Sequence, residues 1–427
     1  MEKGLITSSL LPVGAKRRSI SIAALLLSFL PALFLSCSHD TDENPADSPY
    51  VVMLSIDGCR WDYPDIHDMD NLKKIGEDGV RAEAIIPSYP TKTFPNHYTM
   101  ATGLYPDHHG IVANSFYDPE TSLFFSIGNR ERVEDTRFWG GEPIWETAEK
   151  QGVRTASFFW VGSETNSKYH PSIRKYFDDQ IPFPTRVDSA ISWLYLPEKI
   201  RPHLILFYFE EPDGAGHQYG PESDETKLVL SYVDSLIGVT REKIDLAEEE
   251  LGINVNFIVT SDHGMGYIPP EQNIFLEDHI NLDDIEMFAG GNPSIMIQPI
   301  EGKTENLMAE LSGIPKLKAW KRDNLPAHYH YGSNNRILEL IIEADAGWGV
   351  RFRKNESGGY SLGAHGYDPV NKDMHAIFYA EGPAFKEGYV HPGFENTCLY
   401  PLLAEILNID PVEVDGNLQD VKGMLKD

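Results

Sequence analysis

Tyr50-Val51-Val52-Met53-Leu54-Ser55-Ile56-Asp57-Gly58 decides how this chain is read. Apolar side chains fill both alternating sets of positions from Tyr50 to Ile56. A strand of that kind is buried on both faces, as in a parallel sheet covered by helices. It ends in an acid followed by glycine. The C-terminal end of such a strand is where open α/β sheets hold their ligands.

Working outward, the pattern recurs. Leu204-Ile205-Leu206-Phe207-Tyr208-Phe209 opens into Glu210-Glu211-Pro212-Asp213-Gly214-Ala215-Gly216-His217, and Asn256-Phe257-Ile258-Val259-Thr260 opens into Ser261-Asp262-His263-Gly264-Met265-Gly266. Gly363-Ala364-His365-Gly366-Tyr367-Asp368-Pro369 follows late in the chain. Helical patterns over Met69–Gly79, Ile144–Gln151, Val187–Leu196 and Glu225–Glu250 alternate with strand patterns over Arg81–Ile86, Arg154–Trp160, His203–Phe209 and Val255–Thr260. This βα rhythm predicts an α/β fold with a doubly wound, mostly parallel sheet. It breaks between about 292 and 351, where strands over Ser294–Gln298, Leu317–Lys321 and Ile337–Glu343 and a helix over Thr304–Leu311 predict a small inserted α+β cap. The core resumes at Met374–Ala380 and closes with a helix over Leu399–Leu407. There is no internal repeat.

Between these elements stands Pro87-Ser88-Tyr89-Pro90-Thr91-Lys92-Thr93-Phe94-Pro95-Asn96-His97-Tyr98-Thr99-Met100. A strand pattern ends in prolines, and a helical segment follows from Tyr98. Pro95 is tolerated there because the first turn of a helix has no partner for its N–H. Thr93 is therefore expected at a helix N-terminus, where free N–H groups and the helix dipole favour an anion. An N-capping role alone would also explain a threonine at this point.

Singly, Asp213 reads as a turn acid, His217 as a solvated or core imidazole, and Asp262-His263 as a loop dipeptide. Jointly they place three carboxylates and three imidazoles at one sheet edge with glycines between them. Carboxylates so gathered repel one another strongly in a partly dry cleft. Two divalent cations resolve this, and mixed His/Asp ligation suits zinc.

Asp57, the run Lys92-Thr93-Phe94-Pro95-Asn96-His97-Tyr98, Asn114, Glu210-Glu211-Pro212-Asp213 with His217, Asp262-His263-Gly264-Met265 and His365-Gly366-Tyr367-Asp368 resemble, in order, the motifs of the nucleotide pyrophosphatase/phosphodiesterase family of the alkaline phosphatase superfamily. The likeness runs from about Tyr50 to Pro411 and implies a sheet of alkaline-phosphatase type. It further implies that Asp213, His217 and His365 hold one zinc, while Asp57, Asp262 and His263 hold a second that also binds the oxygen of the nucleophile Thr93. Asn114 would donate to a non-bridging phosphate oxygen. Phe94 and Tyr208 would lie against the group beyond the phosphate, although core packing also accounts for both. The implied reaction is zinc-dependent hydrolysis of phosphodiester or pyrophosphate bonds through a phosphothreonine, releasing nucleoside 5′-monophosphates. The physics agrees, because a threonine hydroxyl is a poor nucleophile at neutral pH until a metal lowers its pKa.

One departure stands out. Around Ile173 and Arg174 the family often carries an aromatic that stacks on the base, and none stands there. A phosphomonoesterase of the same superfamily would need an arginine or third metal beside the phosphate, and no motif offers one. A sulfatase fits less well still, because Thr93 stands at the nucleophile position and there is no Cys-x-Pro-x-Arg. A phosphonoacetate hydrolase shares the threonine and the ligands and is the enzymatic rival. A surface protein that binds a ligand or glycan through structural metals is the rival from another class.

Composition sets the surroundings. The 427 residues carry 36 Lys+Arg against 65 Asp+Glu, a formal net charge of −29, which argues against general binding to nucleic acid or anionic lipid. Positive charge for an anionic, small-molecule substrate must then be local. Lys16, Arg17 and Arg18 precede an apolar run over Ile20–Leu35, followed by Ser36-Cys37. The run is short for a membrane span. Residues 1–36 are therefore expected to be a signal peptide, with Leu35-Ser36-Cys37 resembling a bacterial lipobox whose cysteine is acylated. Residues 37–48 read as an acidic tether and 49–427 as the catalytic domain. This predicts an exported lipoprotein at the outer membrane or surface of a Gram-negative bacterium, held to the membrane only through Cys37. Cys59 and Cys398 are too isolated to form a disulfide framework or thiolate metal site.

Overall fold

The structure, a computed structural model, describes residues 49–354 and 360–426. The expected signal peptide, Cys37 and the acidic tether lie outside the described residues. Eight strands form the main sheet, in the order Tyr389–His391, Val80–Ala82, Phe378–Glu381, Val255–Thr260, Tyr50–Ile56, Leu204–Phe209, Thr155–Phe158 and Ile173–Lys175. Phe378–Glu381 runs antiparallel to both its neighbours, and the remaining pairings are parallel. The α/β, doubly wound, mostly parallel sheet expected from the sequence is the one observed.

The opening stretch shows why the sheet is wound on both sides. Every residue from Tyr50 to Ile56 is buried. Val51 and Met53 enter one apolar core, whereas Val52, Leu54 and Ile56 enter the other. Successive side chains of a strand point to opposite faces, so a strand with apolar residues on both faces needs two cores. The helices divide accordingly. Met100 of Thr93–Thr102, Trp145 of Ile144–Lys150 and Leu403 of Leu399–Leu407 join the first core. Leu72 of Asp70–Asp78, Val187 of Phe183–Ser192 and Leu230 of Asp224–Leu251 join the second. A fully buried aliphatic side chain is worth roughly 1.5–3 kcal/mol, so polar substitution at Val52 or Ile258 would cost the sheet directly.

Several elements differ from the sequence expectation. Arg81–Ile86 is two short strands, Val80–Ala82 and Ile85–Ile86, and only the first belongs to the main sheet. The helix that carries Thr93 begins at Thr93, not Tyr98, with Lys92 as its non-helical flanking residue. Thr93 is thus the first helical residue and no N-cap. The insert is a four-stranded antiparallel sheet in the order Ile285–Gly291, Ser294–Pro299, Leu340–Ala344, Leu317–Lys321. It packs on the helix Thr304–Ser312 through a separate core that includes Ile297, Leu307 and Ile342. Its first strand precedes residue 292, and its third begins at Leu340, later than expected. A hairpin of Ser115–Asp118 with Leu123–Ser126 was not foreseen.

Candidate active site

The turns after the three central strands meet at one end of the sheet. Gly58 follows Asp57 with φ +69°, and a Cβ there would stand 3.0 Å from the Asp213 Cα. Only glycine allows this approach of the two turns. The Gly58 N–H donates to Asp262 Oδ1 at 3.2 Å, and the Cys59 N–H to Ser261 Oγ at 3.0 Å. The three acid-bearing turns are therefore tied directly to one another.

At this junction the expected ligands divide into two groups. Asp213 Oδ1 lies 3.4 Å from both His217 Nε2 and His365 Nε2, which are 3.1 Å apart. His263 Nε2 lies 3.1 Å from Asp262 Oδ2 and 3.4 Å from Asp57 Oδ1. The His263 and His365 rings stack with centroids 3.6 Å apart, joining the two groups. Thr93 Oγ1 is 3.3 Å from His263 Nε2.

Two independent observations fit these groups to cations. Asp57 Oδ1, Asp213 Oδ1 and Asp262 Oδ2 are buried with no hydrogen-bond partner, and a buried carboxylate oxygen left that way is costly unless a cation faces it. The imidazoles supply the second. Nδ1 of His217 bonds the Gly363 carbonyl at 2.7 Å, that of His365 the Thr91 carbonyl at 2.8 Å and that of His263 the Gly264 carbonyl at 2.9 Å. A carbonyl can only accept, so each Nδ1 carries hydrogen and each Nε2 lone pair is directed into the site, the usual arrangement of metal-binding histidines.

The protonation balance expresses the same strain. Burial, then the neighbouring Asp262 and Asp213, pushes the Asp57 carboxyl well above its ordinary range. Burial acts the same way on Asp262, but His263 and His97 outweigh it and hold that carboxyl low. His365 is held well below its usual value by burial and by His263. For His263, burial is overcome by Asp262 and Asp213, which favour positive charge at Nε2. That field draws a proton or a metal to the same atom.

His97 was quoted within the Thr93 run but given no role. It lies one helical turn after Thr93, buried, with Nδ1 3.0 Å from the Thr93 carbonyl and 3.3 Å from Asp262 Oδ2, and Nε2 2.8 Å from Ser55 Oγ. Asp57, His97 and Asp262 are close enough to form a third ligand group. Because Nδ1 faces a carbonyl, however, it donates, and His97 supports Asp262 instead of ligating.

Lys92 is half-buried, and loss of water around it lowers its ammonium to about 8. Its Nζ donates to the carbonyls of Asn292 at 2.5 Å and His365 at 2.6 Å. It joins the helix that starts at Thr93 to the His365 loop and to the cap.

The remaining expected residues are close by. The Phe94 N–H donates to Asn114 Oδ1 at 3.0 Å, which leaves the NH2 end of that amide to donate. Tyr208 is buried, and its hydroxyl donates to Asp57 Oδ2 at 2.5 Å. Phe94 and Tyr208 both line a cavity of about 340 Å³ that opens on Asp57, Thr93 and Asp213. Ile173 sits on the edge strand, and the aromatics missing at that position stand elsewhere on the cavity wall. They are Phe159 and Phe177, in edge contact at 5.3 Å. Arg130 pairs with Glu164, and Glu210 with buried Arg186, on the same wall.

A hydroxyl at a helix start faces paired acid–imidazole groups that could hold metal ions at the end of a doubly wound sheet, the arrangement of a hydrolase. Comparison with known proteins gives the family. The model of the type I phosphodiesterase / nucleotide pyrophosphatase family matches residues 51–368. Human ectonucleotide pyrophosphatase/phosphodiesterase family member 5 is 35% identical over 404 residues, covering 94% of this chain and 83% of that one. A venom phosphodiesterase of the rattlesnake Crotalus durissus collilineatus is 37% identical over 391 residues, or 88% of this chain and 46% of its own. The chain thus spans about half the length of the venom relatives it matches. The solved structure of the murine family member 5 superposes with a TM-score of 0.84 at 33% identity, covering 88% of this chain and all of that one. An inactive variant of the murine protein, solved in complex with AMP, superposes with a TM-score of 0.83. The chain belongs to the type I phosphodiesterase/nucleotide pyrophosphatase family.

Proposed function

We propose that this protein hydrolyses phosphodiester and pyrophosphate bonds of nucleotide-type substrates, releasing nucleoside 5′-monophosphates through a covalent ester on Thr93. The observation that carries the reading is the convergence of three orphaned carboxylate oxygens and three Nε2 lone pairs beside one threonine hydroxyl. Asp213, His217 and His365 would hold one zinc, and Asp57, Asp262 and His263, with Thr93, another. Bound zinc lowers the pKa of a hydroxyl that it contacts and offsets charge on phosphoryl oxygens.

The chain's own residues supply the rest. Thr93 Oγ gives up its proton to water and bonds to phosphorus while the bond to the leaving oxygen breaks, its electron pair staying on that oxygen. Water then displaces the Thr93 oxygen, which regains a proton, and the nucleoside monophosphate departs. The Asn114 NH2 group donates to a non-bridging oxygen, and its bond to the Phe94 N–H holds it at the helix start where the phosphate would lie. His97 and Tyr208 orient Asp262 and Asp57. Phe94 and Phe177 offer flat apolar surface to the nucleoside. The AMP found with the murine relative supports this choice of substrate class. Hydrolysis of p-nitrophenyl thymidine 5′-phosphate, with about two zinc equivalents in purified protein and loss of activity on chelation, is the expected result. Full activity of metal-free protein would refute it.

We also propose that residues 49–427 form the catalytic domain and that the chain is exported and lipid-anchored at Cys37 on the outer membrane or surface of a Gram-negative bacterium. Relatives bearing the names ectonucleotide pyrophosphatase and venom phosphodiesterase support export alone. Among the described residues no helix is long and apolar enough to cross a membrane. Labelled palmitate should enter the wild-type protein and not Cys37→Ala, and a lipid-free wild type would refute the anchor.

A further inference from the structure

Two ion pairs stand at the wall of the Phe94 cavity, and they are turned opposite ways. In one, the Arg186 side chain is fully buried while that of Glu210 is 31% exposed. In the other, Glu164 is buried and the Arg130 side chain is 37% exposed. Glu210 lines the cavity and its partner Arg186 stands behind it, so this pair presents hydrogen-bond acceptors. Arg186 is fixed in place. Its Nε donates to the Ile181 carbonyl at 2.9 Å and its Nη1 to the Tyr208 carbonyl at 3.0 Å. The guanidinium lies 5.0 Å from the Phe159 ring centroid and 4.8 Å from that of Phe183. Its Nη2 donates to Glu210 Oε1 at 2.9 Å and its Nη1 to Oε2. A carboxylate offers about four lone-pair sites. The arginine fork therefore holds Glu210 rigidly and leaves about half of its acceptor capacity for the cavity. The adjacent Glu211 is used differently, since its Oε2 accepts from the Ala215 N–H at 3.0 Å in the helix that follows.

The pair also has a fixed place along the wall. Glu210 stands three residues before Asp213, an expected metal ligand. On its other side Arg186 joins it to Phe159, whose ring meets that of Phe177 at 5.3 Å. The order along the wall is ligand carboxylate, Glu210, aromatic rings. A 5′-nucleotide has a matching order of phosphate, pentose and base. We propose that Glu210 accepts hydrogen bonds from the 2′- and 3′-hydroxyls of the pentose, so that the site selects ribonucleotides over deoxyribonucleotides. Vicinal hydroxyls can each donate to one carboxylate oxygen, and such charge-assisted bonds are strong. A bare carboxylate would repel an anionic substrate. The Arg186 charge behind Glu210 offsets that repulsion and, being buried, offers the phosphate no competing cation. Glu210 is a specificity residue and takes no part in making or breaking bonds.

The proposal rests on the hydrolytic reading above, and its test separates the two. Wild-type kcat/KM for ATP should exceed that for 2′,3′-dideoxyATP by about tenfold, equivalent to ~1.4 kcal/mol. The values for 2′-deoxyATP and 3′-deoxyATP should fall between them. Glu210→Asp keeps the charge but withdraws it by one methylene, and Glu210→Gln removes the charge. Each should bring the ratio below about threefold. Bis(p-nitrophenyl) phosphate, which has no pentose, reads any loss that comes through folding or metal binding instead. Calorimetric binding of AMP and 2′,3′-dideoxyAMP to Thr93→Ala protein should show the same tenfold preference without turnover. These comparisons on Glu210 protein stand even where a Glu210 variant fails to fold. A ratio near one in cleavage and in binding, or a ratio that folded Glu210 variants leave intact, would overturn the ribose contact while leaving the hydrolytic reading in place. Failure to cleave any probe, with the binding preference present, would overturn the hydrolytic reading alone.

Discussion

The two walls of the cleft are made differently. On the sheet side, the proposed carboxylate ligands Asp57, Asp213 and Asp262 stand within four residues of strands that are buried along their whole length, and the Gly58 turn ties them together. On the cap side, the wall is a small antiparallel sheet with its own core, presenting exposed rings and an arginine. The sheet side has one geometry available to it, because any shift of Asp57, Asp213 or Asp262 disturbs two apolar cores. The cap side can change side chains at little cost in stability. The proposed reaction chemistry therefore falls on the first wall.

The largest expected effect tests the first wall. Thr93→Ala should lose a thousandfold or more in kcat, as other nucleophile deletions do, whichever leaving group is offered, and should still bind zinc. Thr93→Ser should keep part of the activity. Retention of most of the wild-type rate by Thr93→Ala would remove the nucleophile from the account.

Next in size is the discrimination between esters. Lys92 is committed to two carbonyls and Arg130 to Glu164, so among the described residues that line the Phe94 cavity no further cation faces the second charge of a monoester. p-Nitrophenyl thymidine 5′-phosphate should exceed p-nitrophenyl phosphate in kcat/KM by about a hundredfold or more, ~2.7 kcal/mol. A preference for the monoester would move the protein to the phosphatase branch.

His97→Ala removes support behind a ligand and leaves the lining of the Phe94 cavity unchanged. Zinc affinity should fall by about 10–100-fold, as for other residues that orient metal ligands. Titration with a competing chelator reads this directly, and unchanged affinity would show that Asp262 is held by other means.

The smallest effect lies in the nucleoside cavity. A base–aromatic contact is worth roughly 1–3 kcal/mol. Phe177 is 38% exposed, which favours the low end, so Phe177→Ala should lower kcat/KM for nucleotide substrates about tenfold. It should scarcely alter bis(p-nitrophenyl) phosphate. Equal losses on both would mean that Phe177 acts through folding.

Much of the first wall was legible in the sequence because its strands carry apolar residues on both faces and its acids follow within four residues. The second wall was not, for a physical reason. Ile285–Gly291 is half exposed and ends in two glycines, so it offers neither clean alternation nor a continuous apolar run. His97 carried a usable signal, standing four residues after Thr93 on the same helix face. It escaped because a buried histidine in a helix reads equally well as core. Phe177 escaped because the aromatic was sought at Ile173, which the edge strand turns against the core. The chain brings Phe177 to the cavity only after that strand ends at Lys175.

The central claim is that Thr93 carries the reacting phosphoryl group. Protein quenched in acid during turnover of a nucleotide diester, then digested and read by mass spectrometry, tests it most directly. The expected result is a nucleoside monophosphate ester on the peptide containing Thr93, absent from Thr93→Ala. Burst turnover with no modified peptide, or modification of a different residue, would contradict it.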